Sequence, residues 1–435
     1  MVARYFKIPY KYKMGIQFYL LLLFTIIVGT FSVKYYHRIW NPVLLFTGMF
    51  FLGVVLAKHN CGSREFKLAV SWILIGELTF LLSYFAAQGI FNRKTLEDFS
   101  APIKYNTAFL NIMIDVNVVV TILSLCLSIY EVIQVAPSFF EIFTNSTYVR
   151  ELYLHRSSGK IVTILGIFLS LNFYVTFCLF PIGMQEKVKM IISRLIFVLF
   201  LRLCGSLITM SKAAFLIDII FFISAYISTI KSKKEEYSFY LKYGAVFGIL
   251  VIVLLVVITI QRNYIGDGRY SGYLDAIFGT LRTYISVSIE AFGSLLNIDS
   301  LQFTNGRLCF RPIFNILSYL GIGNHISIIQ DVVSELPNVN VYSMFGNMYR
   351  DFSYIGIILL SVLFGFFFGA IYNTNYKYRL SNIVINSMVA MIMFFAYFDF
   401  KIIQTVYLFI MIYAVVIEKA IANRLYVKED NRVTG

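Results

Sequence analysis

Charged residues are scarce in this chain of 435 residues. They make up 14% of it, against 59% hydrophobic residues, and the mean hydropathy is +0.76. A soluble protein of this length cannot bury so much apolar surface, so the composition excludes that class and indicates a protein whose solvent is a lipid bilayer. The formal net charge is +14, but much of it lies in short clusters beside apolar runs, where it sets topology and contacts anionic lipid. The composition therefore favours membrane lipids as partners and gives no argument for nucleic acid.

Cysteine and the common catalytic motifs are also sparse. Three of the 5 cysteines lie inside apolar runs, and none stands at a metal-ligand spacing from a histidine. We therefore expect no disulfide framework, no metal site and no cofactor. The sequence contains no P-loop, no HExxH motif and no convincing Ser-His-Asp arrangement. It also shows no internal repeat, which disfavours a transporter built from inverted repeats.

Apolar runs of about 20 residues, the length of a spanning helix, recur along the chain. They lie at 14–33, 40–57, 68–90, 108–133, 161–183, 190–209, 213–230, 241–261, 354–373, 382–398 and 402–418. This pattern predicts an all-α polytopic integral membrane protein with about 11–12 transmembrane helices and one large external loop late in the chain.

The runs divide the chain into three segments. Residues 1–261 are predicted to form an N-terminal transmembrane bundle of about eight spans, with an external segment at 135–160. Residues 262–353 are predicted to form the large external loop. Residues 354–435 are predicted to form a C-terminal three-helix membrane segment with a cytoplasmic tail.

The lysines and arginines beside the runs predict the orientation, because cytoplasmic loops collect them. The cluster at 231–242, the pair at 377–379 and the tail after 418 are basic, so we place them inside. Alternation then puts 135–160, the tight link at 209–212 and 262–353 outside. Counting backward puts the basic N-terminus outside, against the rule, so we expect a further membrane element before residue 135.

Lysine is absent from the interval 262–353, although the whole chain has more lysine than arginine. The six basic residues of the interval are Arg262, Arg269, Arg282, Arg307, Arg311 and Arg350. The guanidinium is a planar fork that binds phosphate through two parallel hydrogen bonds. The interval therefore predicts a phosphorylated or acidic substrate held at a membrane surface. Within it, 278–296 is expected to be an amphipathic helix lying at the outer surface, as is 135–154.

The candidate ligands of a pyrophosphate group come from three predicted external segments. Arg150, Arg156, Lys212 and Arg269 could converge on one anionic group, and Arg282 and Arg350 extend the set. Arg269 stands out because the glycines in GDGRYSGY let the backbone approach a ligand closely. The competing interpretation is that these side chains reach out to lipid phosphates.

The candidate general bases are His325 and Asp351. His325 lies in GIGNHISIIQD within the late interval, and histidine accepts a proton readily near neutral pH. Asp331 and Glu335 are alternatives nearby. The competing interpretations are a solvated loop histidine and, for Asp351, an acid paired with Arg350 near a helix N-terminus.

Glu77, Asp115, Arg202 and Asp218 are ionisable residues that lie inside predicted spans. In a transporter they would be relay or coupling sites. The interpretation that we favour is a set of buried partners, such as Arg202 with Asp115 or Asp218, that holds the helices in register.

Two stretches and the position of the late interval resemble the Wzy-type polymerases, which polymerise O-antigen and capsule repeat units in bacteria. The first stretch is SKAAFL at 211–216. The second is NVYSMFGNMYRDFSYIGIILLSVLFGFFFG at 340–369, which closes the interval. The family's first motif commonly reads Ser-Arg, and Lys212 stands in the arginine's place. Its last motif commonly ends Tyr-x-Asp-Phe-Gly, and this chain has Tyr349, Asp351 and Phe352, with Ser353 in the glycine's place.

The resemblance implies a multi-pass, metal-independent glycosyltransferase of the bacterial plasma (inner) membrane, with its active site facing the periplasm or exterior. It would join oligosaccharide repeat units carried on undecaprenyl pyrophosphate for O-antigen, capsule or exopolysaccharide. At the matching positions it implies Lys212 and Arg269 as pyrophosphate ligands and Asp351 as a supporting residue. A chain-length regulator and a flippase would be further partners.

Two alternatives remain open. One is a lipid-linked oligosaccharide flippase or another polysaccharide transporter, against which the large external loop argues. The other is the related O-antigen ligase, which shares the layout but passes its glycan to a different acceptor.

Overall fold

The structure is a computed structural model that describes residues 15–57, 63–91, 104–136, 138, 141, 146–155, 159–209, 211–230, 233–261, 272–298, 301–327, 341–372 and 379–427. Within these residues the chain forms fifteen α-helices. They are α1 (Ile16–Tyr36), α2 (Pro42–Leu56), α3 (Arg64–Phe91), α4 (Thr107–Ile133), α5 (Ser146–His155), α6 (Lys160–Phe177), α7 (Leu179–Gln185), α8 (Ile191–Ile208), α9 (Lys212–Thr229), α10 (Lys233–Gln261), α11 (Tyr273–Leu295), α12 (Arg311–Tyr319), α13 (Met344–Ile371), α14 (Leu380–Phe395) and α15 (Thr405–Leu425).

Each of the eleven predicted apolar runs coincides with a helix. Among the described residues, seven stretches are long and apolar enough to cross a membrane: α1, α3, α4, α6 with α7, α8, α13 and α15. Three shorter apolar helices lie at Pro42–Leu56, Ala213–Thr229 and Leu380–Phe395. The all-α polytopic membrane fold is confirmed.

The extra membrane element expected before residue 135 is not found in the described part of that region. Helices α1 to α4 there correspond one to one with the four predicted runs.

The helix predicted at 278–296 is present as α11. The C-terminal half of α11 is buried: Ser288 donates to the carbonyl of Tyr397 at 2.6 Å, and Gly293 lies against Ala69 of α3. The apolar face of this half packs against neighbouring parts of unit 1, and its position at the outer surface stays a prediction.

The chain divides into two compact units. Unit 1 consists of residues 1–90, 281–370 and 392–405, and unit 2 of residues 91–280, 371–391 and 406–435. Each unit combines stretches from all three predicted segments, because chain positions far apart in sequence pack together.

Unit 1 is built on close packing between α3 and α13. A Cβ added at Gly365 would overlap the carbonyl oxygen of Phe80, and one at Gly369 would overlap that of Tyr84. Two glycines four residues apart let helix backbones approach in this way. Polar contacts fix the register, since Gln88 donates to the carbonyl of Gly369 at 2.7 Å.

Unit 2 is centred on α4. Its N-terminus is capped by Asn106, whose side-chain oxygen accepts hydrogen bonds from the amides of Ala108 and Phe109. The same end lies beside the end of α15, where Asn106 N donates to the carbonyl of Leu425 at 2.9 Å. The first amide of α14, that of Leu380, donates to the Tyr426 hydroxyl. The start of α4, the start of α14 and the end of α15 therefore lie at one end of the unit. The predicted alternation of spans between inside and outside requires this arrangement.

The other end of α4 carries α5. Val149 of α5 and Val132 of α4 are both buried and pack together with Ile208 at the end of α8. Helix α5, from the predicted external segment 135–160, and the end of α8, which leads into the predicted external link at 209–212, thus lie at the same end of unit 2.

Candidate functional site

A polar hollow of about 270 Å³ lies in unit 2, at the end where α4, α5, α8 and the start of α9 meet. Its wall contains two arginines and seven hydroxyl side chains. These residues are Arg150, Arg202, Thr121, Ser124, Ser128, Tyr153, Ser206, Thr209 and Ser211. A hollow with this lining can hold a polar, anionic group.

Helical spacing explains how these side chains come together. Thr121, Ser124 and Ser128 lie at i, i+3 and i+7 on α4, so they occupy one face of the helix. Arg202 and Ser206 stand four residues apart on α8 and share a face in the same way. The tight link after α8 then brings Ser211 back to the same end.

Arg202 is held in place by a buried partner. Its Nε donates to Asp218 Oδ2 at 2.7 Å and its Nη2 to Oδ1 at 3.1 Å. The carboxylate of Asp218 is fully buried and also accepts from the Tyr174 hydroxyl at 2.9 Å. The guanidinium lies over the ring of Phe173, with its Cζ 4.3 Å from the ring centroid. This two-point pairing fixes the plane of the guanidinium.

Arg202 with Asp218 is one of the pairings that the sequence predicts, and the structure confirms it. Asp115 lies elsewhere, with one carboxylate oxygen 3.5 Å from Arg194 Nε. Glu77 is fully buried in unit 1, and within the described residues its carboxylate oxygens have no hydrogen-bond partner.

Helix α5 supplies the second arginine and a tyrosine. Arg150 and Tyr153 are three residues apart and both line the hollow. The Tyr153 hydroxyl donates to Glu131 Oε2 at 3.3 Å. Arg150 is the second guanidinium that lines the hollow, and its planar fork suits a ligand phosphate.

For three other predicted pyrophosphate ligands, the structure does not describe the side chain. Arg156 and Arg269 lie outside the described residues, and so does the side chain of Lys212. The backbone of Lys212 follows directly on Ser211, which lines the hollow. The structure therefore brings Arg150 and the 209–212 link to one site.

Arg282 and Arg350 belong to unit 1, and their geometry is that of structural residues. Arg282 Nε donates to the carbonyl of Leu56 at 3.0 Å. Arg350 is buried, with its Cζ 4.7 Å from the centroid of the Tyr342 ring. Both positions stabilise the packing of unit 1.

Arg311 is a third arginine of the late interval that binds the protein itself and not a phosphate. It is 1% exposed, and it donates to the carbonyls of Ile403 at 2.9 Å and Ser327 at 3.0 Å. Burial lowers the pKa of its guanidinium, and the nearby Asp399 opposes that shift. An arginine this buried organises the fold instead of meeting a ligand.

Asp351 lies at the end of the first half of α13, and its carboxylate is fully buried. It accepts from the backbone amides of Leu308 at 3.1 Å and Cys309 at 2.7 Å, and from the hydroxyl of Thr304. Asp351 directly precedes the break in α13, so it lies close to the start of the second half of the helix, as the alternative interpretation expects. The geometry gives this carboxylate the role of holding the turn at 304–310.

The break in α13 falls at Ser353, the position that is glycine in the Tyr-x-Asp-Phe-Gly motif. Ser353 has φ 60° and ψ −154°, a backbone region that is almost restricted to glycine. This is the position at which the resembled motif has glycine. A serine here strains the backbone at the point where the chain turns away from Asp351.

His325 is exposed on the turn after α12, with its ring centroid 6.1 Å from that of Tyr319. Asp331 and Glu335 lie outside the described residues. Neither His325 nor Asp351 is among the residues that line the hollow.

Sequence reasoning missed three parts of the hollow: Arg202 as a wall residue, Tyr153, and the hydroxyl row on α4. The sequence does contain a signal for this row, because Thr121, Ser124 and Ser128 stand at helical spacing within an apolar span. A run of polar side chains on one face of a spanning helix is a signal for a wet interior surface.

Comparisons of the chain with protein-family models, with curated proteins and with solved structures give no match.

Proposed function

We propose that this protein is a membrane glycosyltransferase that polymerises oligosaccharide repeat units carried on undecaprenyl pyrophosphate, at the outer face of the bacterial plasma membrane. The observation that carries the proposal is the hollow of unit 2, where Arg150, Arg202 and seven hydroxyl side chains meet. It lies at the end of the unit that the positive-inside pattern assigns to the outer face.

The hollow suits the leaving group of this reaction. The acceptor hydroxyl attacks the anomeric carbon of the growing chain, the bond from that carbon to the diphosphate oxygen breaks, and negative charge builds on the departing diphosphate. A guanidinium already fixed in place stabilises that charge more than the ground state. Arg150 takes this role, with Arg202 held rigid beside it by Asp218.

The hollow also offers a route for the proton. The Tyr153 oxygen can accept a hydrogen bond from the acceptor hydroxyl while its own hydrogen points to Glu131. As the new glycosidic bond forms, the acceptor proton passes to Tyr153 and the Tyr153 proton passes to Glu131. The charge on the carboxylate is thereby neutralised, and no further reactant is needed.

The test is deletion of the gene in the source bacterium, followed by gel analysis of the surface glycan. We expect glycans that carry a single repeat unit, because units would still be made, exported and transferred but not joined. Re-expression of the intact chain should restore the ladder of long glycans.

Other outcomes identify the alternatives. Loss of all external glycan would point to a flippase. Accumulation of polymer that stays on its lipid carrier would point to a ligase. An unchanged ladder would contradict all three activities.

A further inference from the structure

The hydroxyl row on α4 faces the hollow as hydrogen-bond acceptors. Thr121 Oγ1 donates to the carbonyl of Asn117 at 2.8 Å, Ser124 Oγ to that of Val120 at 2.8 Å, and Ser128 Oγ to that of Ser124 at 3.0 Å. A hydroxyl has one hydrogen and two lone pairs. Each hydrogen is used on the helix itself, so the lone pairs remain for a ligand.

The two arginines of the hollow have the reverse character. A guanidinium carries five N–H donors and no acceptor, so Arg150 and Arg202 can only donate. Two nitrogens of Arg202 donate to Asp218, which leaves the guanidinium plane fixed at the wall. The hollow therefore offers the two guanidinium groups as its donor side and the α4 row as its acceptor side. Thr209 after α8 adds a further acceptor, because its hydroxyl hydrogen goes to the carbonyl of Gly205 at 2.8 Å.

A bare diphosphate would satisfy only the donor side. Its oxygens are acceptors, so next to the α4 row they would face other acceptors. A ligand whose phosphate is bonded to a group rich in O–H or N–H donors would satisfy both sides. A sugar bonded through its anomeric carbon to phosphate has this composition.

The dimensions agree with one sugar. On an α-helix with a rise of about 1.5 Å per residue, the three hydroxyls are offset by about 4.5 Å and then about 6 Å along the axis. The hollow, at about 270 Å³, is just below the range of roughly 300–1,000 Å³ typical of small-molecule pockets. That size suits a phosphate with one attached ring and not a whole oligosaccharide.

We propose that the α4 row, Thr121, Ser124 and Ser128, is the subsite for the sugar bonded directly to the diphosphate of the lipid-linked donor. The sugar donates hydrogen bonds to the three hydroxyl oxygens while its phosphate lies against Arg150. This inference rests on the proposed function and deepens it: the enzyme selects its donor by the first sugar and not only by the lipid diphosphate.

The experiment measures binding to the full chain in lipid nanodiscs by isothermal titration calorimetry. Two probes share one short polyprenyl tail: the polyprenyl diphosphate, and the same diphosphate bearing a single hexose. The wild type is expected to bind the hexose-bearing probe about tenfold more tightly or better. Since one neutral hydrogen bond is worth about 0.5–1.5 kcal/mol, Ser124→Ala and Ser128→Ala should each reduce that ratio about 2- to 13-fold and leave the affinity for the bare diphosphate unchanged.

The control is Ser170→Ala. Ser170 on α6 makes the same type of bond, to the carbonyl of Gly166 at 2.8 Å, but it does not line the hollow, so its removal should leave the ratio unchanged. Arg150→Lys should weaken both probes alike. Retained binding of the bare diphosphate shows in the same titration that a serine variant is folded.

The outcomes separate the two claims. If the bare diphosphate does not bind, or binds independently of Arg150, the proposed function and the subsite both fail. If it binds through Arg150 but the hexose adds no affinity, or the ratio is unchanged in the serine variants, only the subsite is overturned. Loss of both probes in the serine variants also overturns the subsite, and Thr121→Val repeats the measurement at an independent position.

Discussion

At the scale of single residues, the late polar interval is held together by buried charges that look like ligand-binding groups in the sequence. Asp351 and Arg311 are both almost completely buried, and each binds backbone groups of neighbouring turns. The residue type of an arginine or an aspartate does not show whether its side chain binds a substrate or the protein backbone. Only the direction of the side chain distinguishes the two, and composition does not encode that direction.

Asp351→Asn tests the structural role. The amide keeps one acceptor oxygen but turns N–H donors toward the amides of the 304–310 turn, so we expect a loss of at least about 1.5–3 kcal/mol of unfolding free energy and local opening. Burial, and secondarily the Asp351 carboxylate, raises the pKa of the Cys309 thiol. Because the thiolate is the nucleophile, Cys309 should resist alkylation in the wild type and become reactive in the variant.

Mass-spectrometric mapping of alkylated cysteines measures this change. Cys178, buried in the other unit, is the internal control and should stay unreactive in both proteins. If Asp351→Asn leaves Cys309 protected and the thermal midpoint unchanged while activity disappears, the carboxylate has the catalytic role that the sequence suggests.

Ser353→Gly tests the strain at the break in α13. Left-handed backbone of this kind costs a non-glycine residue on the order of 1–3 kcal/mol, so the glycine variant should unfold at a higher temperature in the same detergent. Ser71→Gly in the regular helix α3 is the matched control and should lower the midpoint. A lower midpoint for Ser353→Gly would show that the serine side chain stabilises the break.

At the scale of helices, unit 1 depends on how closely α3 and α13 approach. Gly365 and Gly369 face the carbonyl oxygens of Phe80 and Tyr84, and a side chain there would force the two backbones apart. The hydrogen bonds of Ser83 and Gln88 to α13 need the same short separation.

Gly365→Ala therefore should destabilise the protein by about 1–3 kcal/mol, the usual cost of overpacking. The control is Gly89→Ala on α3, where an added Cβ would meet nothing within 4 Å. Alanine favours the helix by roughly 0.8–1.0 kcal/mol over glycine, so this control should be neutral or slightly stabilised. Thermal midpoints of both variants check the difference, and equal midpoints would contradict the close approach.

At the scale of the whole molecule, the sequence predicted the helices well and the site only in part. All eleven apolar runs became helices, since run length is a local property that the bilayer dictates. The extra membrane element predicted before residue 135 is absent from the described part of that region, and the packing of α11 against other helices is not evident from the sequence. The apolar face of α11 packs on helices that are far away in sequence, and such tertiary contacts do not show in local periodicity.

The candidate site was also predicted only in part. Arg150 and the 209–212 link were predicted to meet because topology puts both at one face, and the structure brings them together at one hollow. Tyr153 and the hydroxyl row were missed because serines and threonines in an apolar span are ordinary in sequence. Their shared wall exists only once α4, α5 and α8 are packed.

The central claim is that Arg150 holds the departing diphosphate, and the most direct measurement is polymer length in a deletion strain that expresses Arg150→Lys. Lysine keeps the charge but not the planar fork, and loss of one fixed transition-state donor typically costs about 10²–10³ in rate. We expect glycans of one or very few units at normal protein level, whereas Arg424→Lys, at the exposed end of α15, should give the full ladder. A full ladder from Arg150→Lys and also from Arg150→Ala would contradict the account.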